Sequence, residues 1–517
     1  MIYLRLTIIF IFFVIIEVYS GNYPFPQAVN YPYGIKPTNY SQSQMNQHVL
    51  SAYNEWKSNY VTSEGTKVSG QLRVHTGAGG ISWGGSSYPY STVSEGQGYG
   101  LLISVVMDDK EVFDSLWRYY DYYKNGNGLM AWLVDRYGNV VDWGAATDGD
   151  LDAAFALILA DKQWGSSGVI NYRQEALTLL NAIMEEEIEY GSYVVKPGDN
   201  WGGSHVTRPS DYMIGFFRVF RKFTGDSRWD NVINRCYSTL NYFYNTYNTG
   251  LVADFCRADG TPAEGFSYNY GYDACRVPWR IGMDYVWYGS IDAYNLCNKF
   301  SNWIKGKTGG VASRIIDGYD LNGNELGRWE ASAFTGPIGV AAMSSGAHQA
   351  WLNAVYDRLV NMWTGGDWGY YNDTIRLLTM LVMTGNFPNF YEQTPSTQTY
   401  YTLIVNVNPQ SSGVVQVNPS SADGKYVAGT TVTLRAVANS GYEFSHWSGS
   451  VSSTMNPINV VMNSDKSITA NFRSQGTTIY YTLSVNVNPQ GGGVVQVSPS
   501  SADGRYVAGT QVTLTAV

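Results

Sequence analysis

The stretch YYTLIVNVNPQSSGVVQVNPSSADGKYVAGTTVTL, beginning at Tyr400, returns 80 residues later as YYTLSVNVNPQGGGVVQVSPSSADGRYVAGTQVTL, beginning at Tyr480. A near copy at a fixed offset requires two tandem units of one fold, each no larger than the offset. Within the unit, short β-branched runs are cut by the turn sequences NPQ, SSG and ADG, so each copy reads as a small all-β module. The first copy runs on through GYEFSHWSG to Phe472, whereas the second stops at Val517. The chain is therefore expected to be a piece of a longer protein. Modules are placed at 400–473 and 480–517, the second truncated, with linkers at 391–399 (the Pro/Thr/Gln run YEQTPSTQT) and 474–479. Trp447 in HWSG reads first as core and second as a ring for stacking on sugar.

Ahead of the first linker the hydrophobic period changes. MNQHVLSAYNEWKSNYV, EVFDSLWRYYDYYK, DLDAAFALILADKQW, INYRQEALTLLNAIMEEEIE, WDNVINRCYSTLNYFYNTY, IDAYNLCNKFSNWIKGK and HQAWLNAVYDRLVNMW all carry apolar residues three and four apart, the spacing of amphipathic helices. Glycine- and aromatic-rich connections such as GAGGISWGGSSYPY and KPGDNWGGSHV are longer than a plain helical bundle needs, and long loops on a rigid scaffold are where binding chemistry is carried. A chain of 517 residues exceeds one ordinary core, in keeping with a large helical domain at 21–390 followed by the modules.

The first 20 residues, MIYLRLTIIFIFFVIIEVYS, hold one Arg, an apolar run from Ile8 to Ile16, and a small residue, Ser20, before Gly21. This is the pattern of a secretory signal peptide, and the run is short for a membrane span. A secreted, extracellular product with no membrane contact after removal of the leader is expected; an uncleaved anchor is the alternative. The net charge of −9, with no basic stripe, speaks against a nucleic-acid partner. With 42 Tyr and 16 Trp, the chain has many flat rings suited to sugar faces, although most must be core. Cys236, Cys256, Cys275 and Cys297 lack the spacing of a zinc site and allow either three disulfide pairings or buried free thiols. The run EEEIE, Glu185 to Glu189, reads as a solvated helix face.

Three acidic positions stand apart: Glu95 in TVSEGQGYG, Asp148 in AATDGDLDAAF and Asp273 in NYGYDACRVPWR. Glu95 has no basic neighbour and lies among glycines and a tyrosine, an environment that raises a carboxyl pKa. Asp148, Asp150 and Asp152 read equally as ordinary acids of a helix N-terminus, and Asp273 as the ion-pair partner of Arg276 one turn on. GQGYG is a poor phosphate loop, since no strand is read before it and no basic residue follows. Hydrolysis of a glycosidic bond needs two carboxyl groups, one protonated to expel the leaving oxygen and one ionised to activate water or attack carbon.

TVSEGQGYGLL, GNGLMAW, AATDGDLDAAFALILADKQW, YVVKPGDNWGGS, YDACRVPWR and YYNDTIRLLTMLVMTGNFPN, in that order, resemble glycoside hydrolase family 8, and the resemblance extends from Asn30 to Phe387. It implies an all-α (α/α)6 barrel with an open cleft, and endo-acting hydrolysis that inverts the anomeric carbon without cofactor or metal. By motif, Glu95 is similar to the general acid, Asp273 to the general base and Asp148 to the carboxylate that holds the sugar at the cleavage point. Trp132, Trp201, Tyr272 and Arg276 match cleft-lining positions, as do Tyr370 and Tyr371. Ala153 departs from the signature. So does RPSDYM, Arg208 to Met213, which puts Asp211, with Tyr212 beside it, where many cellulase-type members have a tyrosine that positions water. That run looks more like the lichenase and chitosanase branch, in which a loop glutamate serves as base; Glu264 in GTPAEGF is the counterpart here, although Asp273 is retained. The expected activity is an endo-β-1,4-glucanase on cellulose-type or mixed-linkage β-glucan. Lichenase, xylanase or chitosanase action, or a non-catalytic carbohydrate-binding surface protein, are the alternatives. The repeats are expected to act as spacers or in cell-wall or surface association.

Overall fold

A helix that is apolar on every side can only be stable inside others, whereas a helix with one apolar stripe belongs on the outside of a layer. Both kinds occur here. A computed structural model describes residues 21–367, 369–393, 400–419, 421, 424–475 and 479–517; the expected leader, most of the first linker and half of the second lie outside the described residues. Described residues form two compact units that divide at 397/398.

Unit one holds α1 (Gln42–Tyr60), α2 (Ser94–Val106), α3 (Lys110–Tyr122), α4 (Thr147–Trp164), α5 (Tyr172–Glu186), α6 (Ile214–Thr224), α7 (Arg228–Thr246), α8 (Val277–Tyr288), α9 (Ile291–Thr308), α10 (Ser332–Ala342), α11 (Gln349–Val360) and α12 (Gly369–Met383). Each odd-numbered helix packs on an even one: α1 on α12, α3 on α2, α5 on α4, α7 on α6, α9 on α8 and α11 on α10. The even helices touch one another in the order α2, α4, α6, α8, α10, α12, and α12 returns to α2. Burial follows this order. Nearly every residue of α2, α4, α10 and α12 is buried, whereas α1, α5 and α9 bury a single face. Ser41 and Gln44 close a capping box on α1, and Asp109, Asn171 and Ser290 cap α3, α5 and α9, each satisfying an otherwise orphaned backbone N–H.

Two sequence expectations need correction. A short strand, Thr92–Val93, does precede GQGYG; it belongs to a small antiparallel sheet with 131–134 and 140–145 rather than to a parallel βαβ unit. EEEIE is not a solvated face throughout: α5 ends inside it, and Glu187 is fully buried against Asp150 and Thr147. All four cysteines are buried and unpaired, which settles the open choice in favour of free thiols. No helix of the described residues is long and apolar enough to cross a membrane.

In the second unit, the first repeat folds as two sheets. One has the order 425–427, 400–408, 466–474, 442–449, with 400–408 and 466–474 parallel; the other, antiparallel throughout, has the order 458–461, 431–438, 413–418. Trp447 is fully buried in this module and donates its indole N–H to the Met455 carbonyl at 2.9 Å, a core role. The second repeat pairs 480–482 with 505–507 and 495–498 with 513–516.

Candidate active site

The N-terminal turns of α2 and α4 cross so closely that side chains are excluded at the contact. A Cβ on Gly98 would lie 2.6 Å from the Gly149 carbonyl oxygen, and one on Gly149 would lie 2.5 Å from the Ser94 carbonyl carbon. This approach sets Glu95, in the first turn of α2, beside Asp148, in the first turn of α4. Neither helix has a side-chain cap, as Val93 and Ala146 occupy the cap positions, so the positive ends of both dipoles are left for these carboxyls.

Asp273 arrives from the loop before α8, in front of the single 3₁₀ turn Ala274–Arg276. That loop is held from beneath by the buried Asp254, whose carboxylate accepts the N–H groups of Gly271 and Ala274 at 3.0 and 2.8 Å and the Ser267 hydroxyl at 2.8 Å. Arg276 joins the three acids. Its Nη1 is 3.1 Å from Glu95 Oε2 and 2.7 Å from Asp148 Oδ2, and its Nη2 is 2.9 Å from Asp273 Oδ1 and 3.0 Å from Ser210 Oγ. With 1% exposure, Arg276 spends its donors on these carboxyls and on the Tyr99 hydroxyl. Arg208 adds a second cation, 3.1 Å from Asp148, 3.0 Å from Asp211 and 3.5 Å from Asp273.

The surroundings push these carboxyls apart. Burial drives Glu95 up to about 8, against the pull of Arg276 and with the push of Asp148, so it carries its proton at neutral pH. Burial acts on Asp148 in the same direction but is outweighed by Arg208 and Arg276, which hold it well below the usual carboxylate range. The Asp273 side chain is 32% exposed and meets both guanidinium groups. The other two acids of DGDLD are buried with separate duties: Asp152 pairs with Arg280 through both oxygens at 2.8 and 2.6 Å, and Asp150 accepts from the Tyr120 hydroxyl and from the Met130 N–H.

These groups open on a cleft of about 570 Å³ lined by Glu95, Asp148, Asp273, Arg208, Arg276, Trp132, Tyr272, Tyr370 and Tyr371, among others. Trp83, half exposed, meets Trp132 edge-on at 4.9 Å, and Tyr272 presents its ring while its hydroxyl donates to Asp317 at 3.0 Å. The Tyr370 hydroxyl is buried beside Gly96 with no hydrogen-bond partner among the described residues, and the Tyr371 hydroxyl donates to the Tyr272 carbonyl at 2.7 Å. Trp201 is not among the cleft-lining residues; it is partly exposed and stacks on Phe266 at 5.9 Å. Glu264 is exposed on its loop and is also absent from the lining. Asp211 and Tyr212 are both fully buried, the first against Arg208 and the second against the Thr207 hydroxyl, so neither reaches the cleft. Sequence reasoning passed over Arg208, Asp254 and Ser210; the Arg208–Asp211 spacing of one helical turn was the available signal for the first. Among the described residues no three His, Cys, Asp or Glu side chains are grouped to hold a metal ion.

A neutral carboxylic acid, an ionised carboxylate and a third, partly exposed carboxyl gathered at one place in an open, aromatic-walled groove are the equipment of a glycoside hydrolase. Residues 24–385 match the family model of glycosyl hydrolases family 8, and the chain belongs to that family. Residues 403–476 and 483–517 match a second model, the divergent InlB B-repeat domain. Endoglucanase A of Acetivibrio thermocellus is 42% identical over 369 residues, covering 70% of this chain and 74% of that one. Beta-glucanase of Niallia circulans is 38% identical over 392 residues, covering 71% of this chain and 92% of that one. Among solved structures, the apo beta-1,3-1,4-glucanase of Paenibacillus sp. X4 superposes with a TM-score of 0.65 at 38% identity, covering 71% of this chain and 98% of that one.

Proposed function

We propose that residues 21–390 act as a secreted, extracellular endo-β-1,4-glucanase on cellulose-type or mixed-linkage β-glucans, with inversion at the anomeric carbon. The packing of each odd helix on an even one, with the even helices in a circuit that α12 closes on α2, supports reading this domain as an (α/α)6 barrel. The observation that carries the functional reading is the single guanidinium of Arg276 shared by Glu95, Asp148 and Asp273.

In this reading Glu95, neutral because it is buried, gives its proton to the departing glycosidic oxygen. Asp273, the most exposed of the three and tied to two cations, takes a proton from the water that attacks the anomeric carbon from the opposite face. Asp148 stays ionised under Arg208 and Arg276 and supplies negative charge beside the oxocarbenium-like transition state. An inverting pair stands about 6.5–9.5 Å apart with a water between the two carboxyls, and Glu95 and Asp273 are held on different nitrogens of the Arg276 guanidinium. Trp132 and Tyr272 offer flat faces to successive sugar rings, and Arg276 fixes the acids rather than the substrate. Trp201, outside the central lining, serves an outer part of the chain. Endoglucanase and beta-glucanase relatives at about 40% identity support the β-glucan substrate class. The repeats act as spacers or in cell-wall association and take no part in the chemistry.

The test is hydrolysis of soluble cellulose and lichenan by residues 21–395, beside Glu95→Gln and Asp273→Asn, with the fresh product anomer read by NMR. Loss of turnover in both variants and an α-product in the parent are expected. Full turnover in either variant removes the role given to that residue, and loss in Glu264→Gln with Asp273→Asn intact transfers the base to Glu264.

A further inference from the structure

Asp108 lies in the turn between α2 and α3 in the left-handed region, φ 58°, which aspartate enters more readily than most non-glycine residues. Among the described residues no Lys or Arg pairs with it. Its neighbour Asp109 is occupied by Lys57 Nζ at 2.5 Å and the Tyr53 hydroxyl at 2.6 Å, and the Lys162 ammonium on α4 lies over the Tyr391 ring. Asp108 instead accepts the Trp164 indole N–H at 2.7 Å and, with both oxygens, the backbone nitrogen of Gly21 at 3.0 and 3.2 Å. Burial pushes its carboxyl above the usual range, with those two donors opposing.

The residues around Gly21 are fitted to this spot. The Asn22 backbone N–H donates to the Gln163 carbonyl at 2.8 Å, Tyr23 exchanges backbone bonds with the Gln163 amide at 2.6 and 2.9 Å, and the Tyr23 ring stacks on Phe390 at 4.5 Å. A Cβ on Gly21 would stand 2.4 Å from Asp108 Oδ1 and 2.6 Å from Gln163 Cδ, so a larger residue there would displace the side chains that hold this nitrogen.

We propose that Asp108 is a receiving site for a new α-amino group on Gly21, formed when the Ser20–Gly21 peptide bond is hydrolysed. The inference rests on reading residues 1–20 as a cleaved leader. Water adds across the bond with a leader-cleaving peptidase as catalyst: the C–N bond breaks, Ser20 leaves as a carboxylate, and the Gly21 nitrogen takes up a proton to become an ammonium. One neutral N–H on the Asp108 carboxylate is thereby replaced by a cation with three donors, turning a lone acid into an ion pair with charge-assisted hydrogen bonds. An ammonium so paired has its folded pKa raised above the ordinary value of about 7.7–8.0 for an α-amine. Its stabilisation is complete below that ordinary value and is lost as pH rises through the raised one.

The experiment compares chains ending at Val517 that start at Gly21 and at Ser20, each with and without Asp108→Asn, by thermal melting from pH 6 to pH 10. The Gly21 form is expected to melt about 3–5 °C above the Ser20 form at pH 7, with the gap closing toward pH 10 and absent in the Asp108→Asn pair. Should Asp108→Asn fail to fold, the pH dependence of the gap between the two natural-sequence forms decides alone. Equal melting at pH 7, or a gap that does not change with pH, overturns the site. N-terminal sequencing of the exported protein tests the leader separately: a start at Gly21 supports processing there, and any other start overturns the processing step, while the melting comparison judges the amine site.

Discussion

Replacing Arg208 by Met separates two roles that its guanidinium combines. Asp211 is completely buried, and Arg208, at 3.0 Å, is its only ionic partner among the described residues. Removing one partner of a buried ion pair costs about 3–5 kcal/mol because the other charge is left alone. For a domain of this size that is a fall in Tm of about 4–6 °C. The sign with pH follows from Asp211, which burial has already pushed up to about 7 with Arg208 in place and which rises further without it. A carboxyl with a raised folded pKa is harmless below its unfolded value, near 3.9, and costs stability progressively as pH rises from there. The Tm deficit is therefore expected to be small at pH 5 and large at pH 8. Arg208→Met with Asp211→Leu removes both charges and should recover most of the lost stability. Turnover should not recover, because Asp148, left with Arg276 alone at 2.7 Å, is less firmly ionised; a tenfold loss in kcat/KM corresponds to about 1.4 kcal/mol. Thermal melts at the two pH values and turnover of soluble β-glucan read both effects. A Tm deficit independent of pH, or a double variant no more stable than the single one, refutes the reasoning.

Turnover should fall as pH rises through about 8, where Glu95 loses its proton, and a pH–kcat profile with no basic limb between pH 7 and 9 removes Glu95 as the acid. Burial, then the adjacent Asp150, raises Glu187 well above the ordinary range, so Glu187→Gln, which resembles the protonated acid in shape, should match the parent in melting at pH 5 and exceed it at pH 9 with turnover unchanged. Deleting residues 395–517 should leave turnover of soluble β-glucan within about twofold, since the residues that line the cleft run from Thr76 to Asn372; a tenfold loss, about 1.4 kcal/mol, contradicts that.

What the sequence disclosed follows burial. The seven segments legible from their apolar stripes became α1, α3, α4, α5, α7, α9 and α11. Six of these are odd-numbered helices, whose outer faces are wet and so leave a period in the sequence. Of the even helices, α2, α10 and α12 are buried on every side and leave no stripe, and α10 also contains Pro337. The site was legible where chemistry imposes motif, at Glu95, Asp148 and Asp273. It was illegible where a residue acts through contacts distant in sequence, as Arg208 does on Asp148 and Asp273. Glu187 was misread because a run of acids looks solvated, and nothing local announces that α5 ends within it and turns one carboxylate inward.

The closure of α12 onto α1 and α2 has a kinetic consequence. Trp56 donates to the Thr374 hydroxyl at 2.9 Å and Tyr60 to Asp373 at 2.6 Å, contacts between residues more than 300 positions apart. Such contacts must pay loop-closure entropy before they return any energy, which makes their formation slow. A chain emerging from a ribosome therefore holds α1 without its partner until nearly the whole domain has followed. The last helix acts as the keystone: until it arrives, the apolar flanks of the first two remain open to solvent and to chaperones.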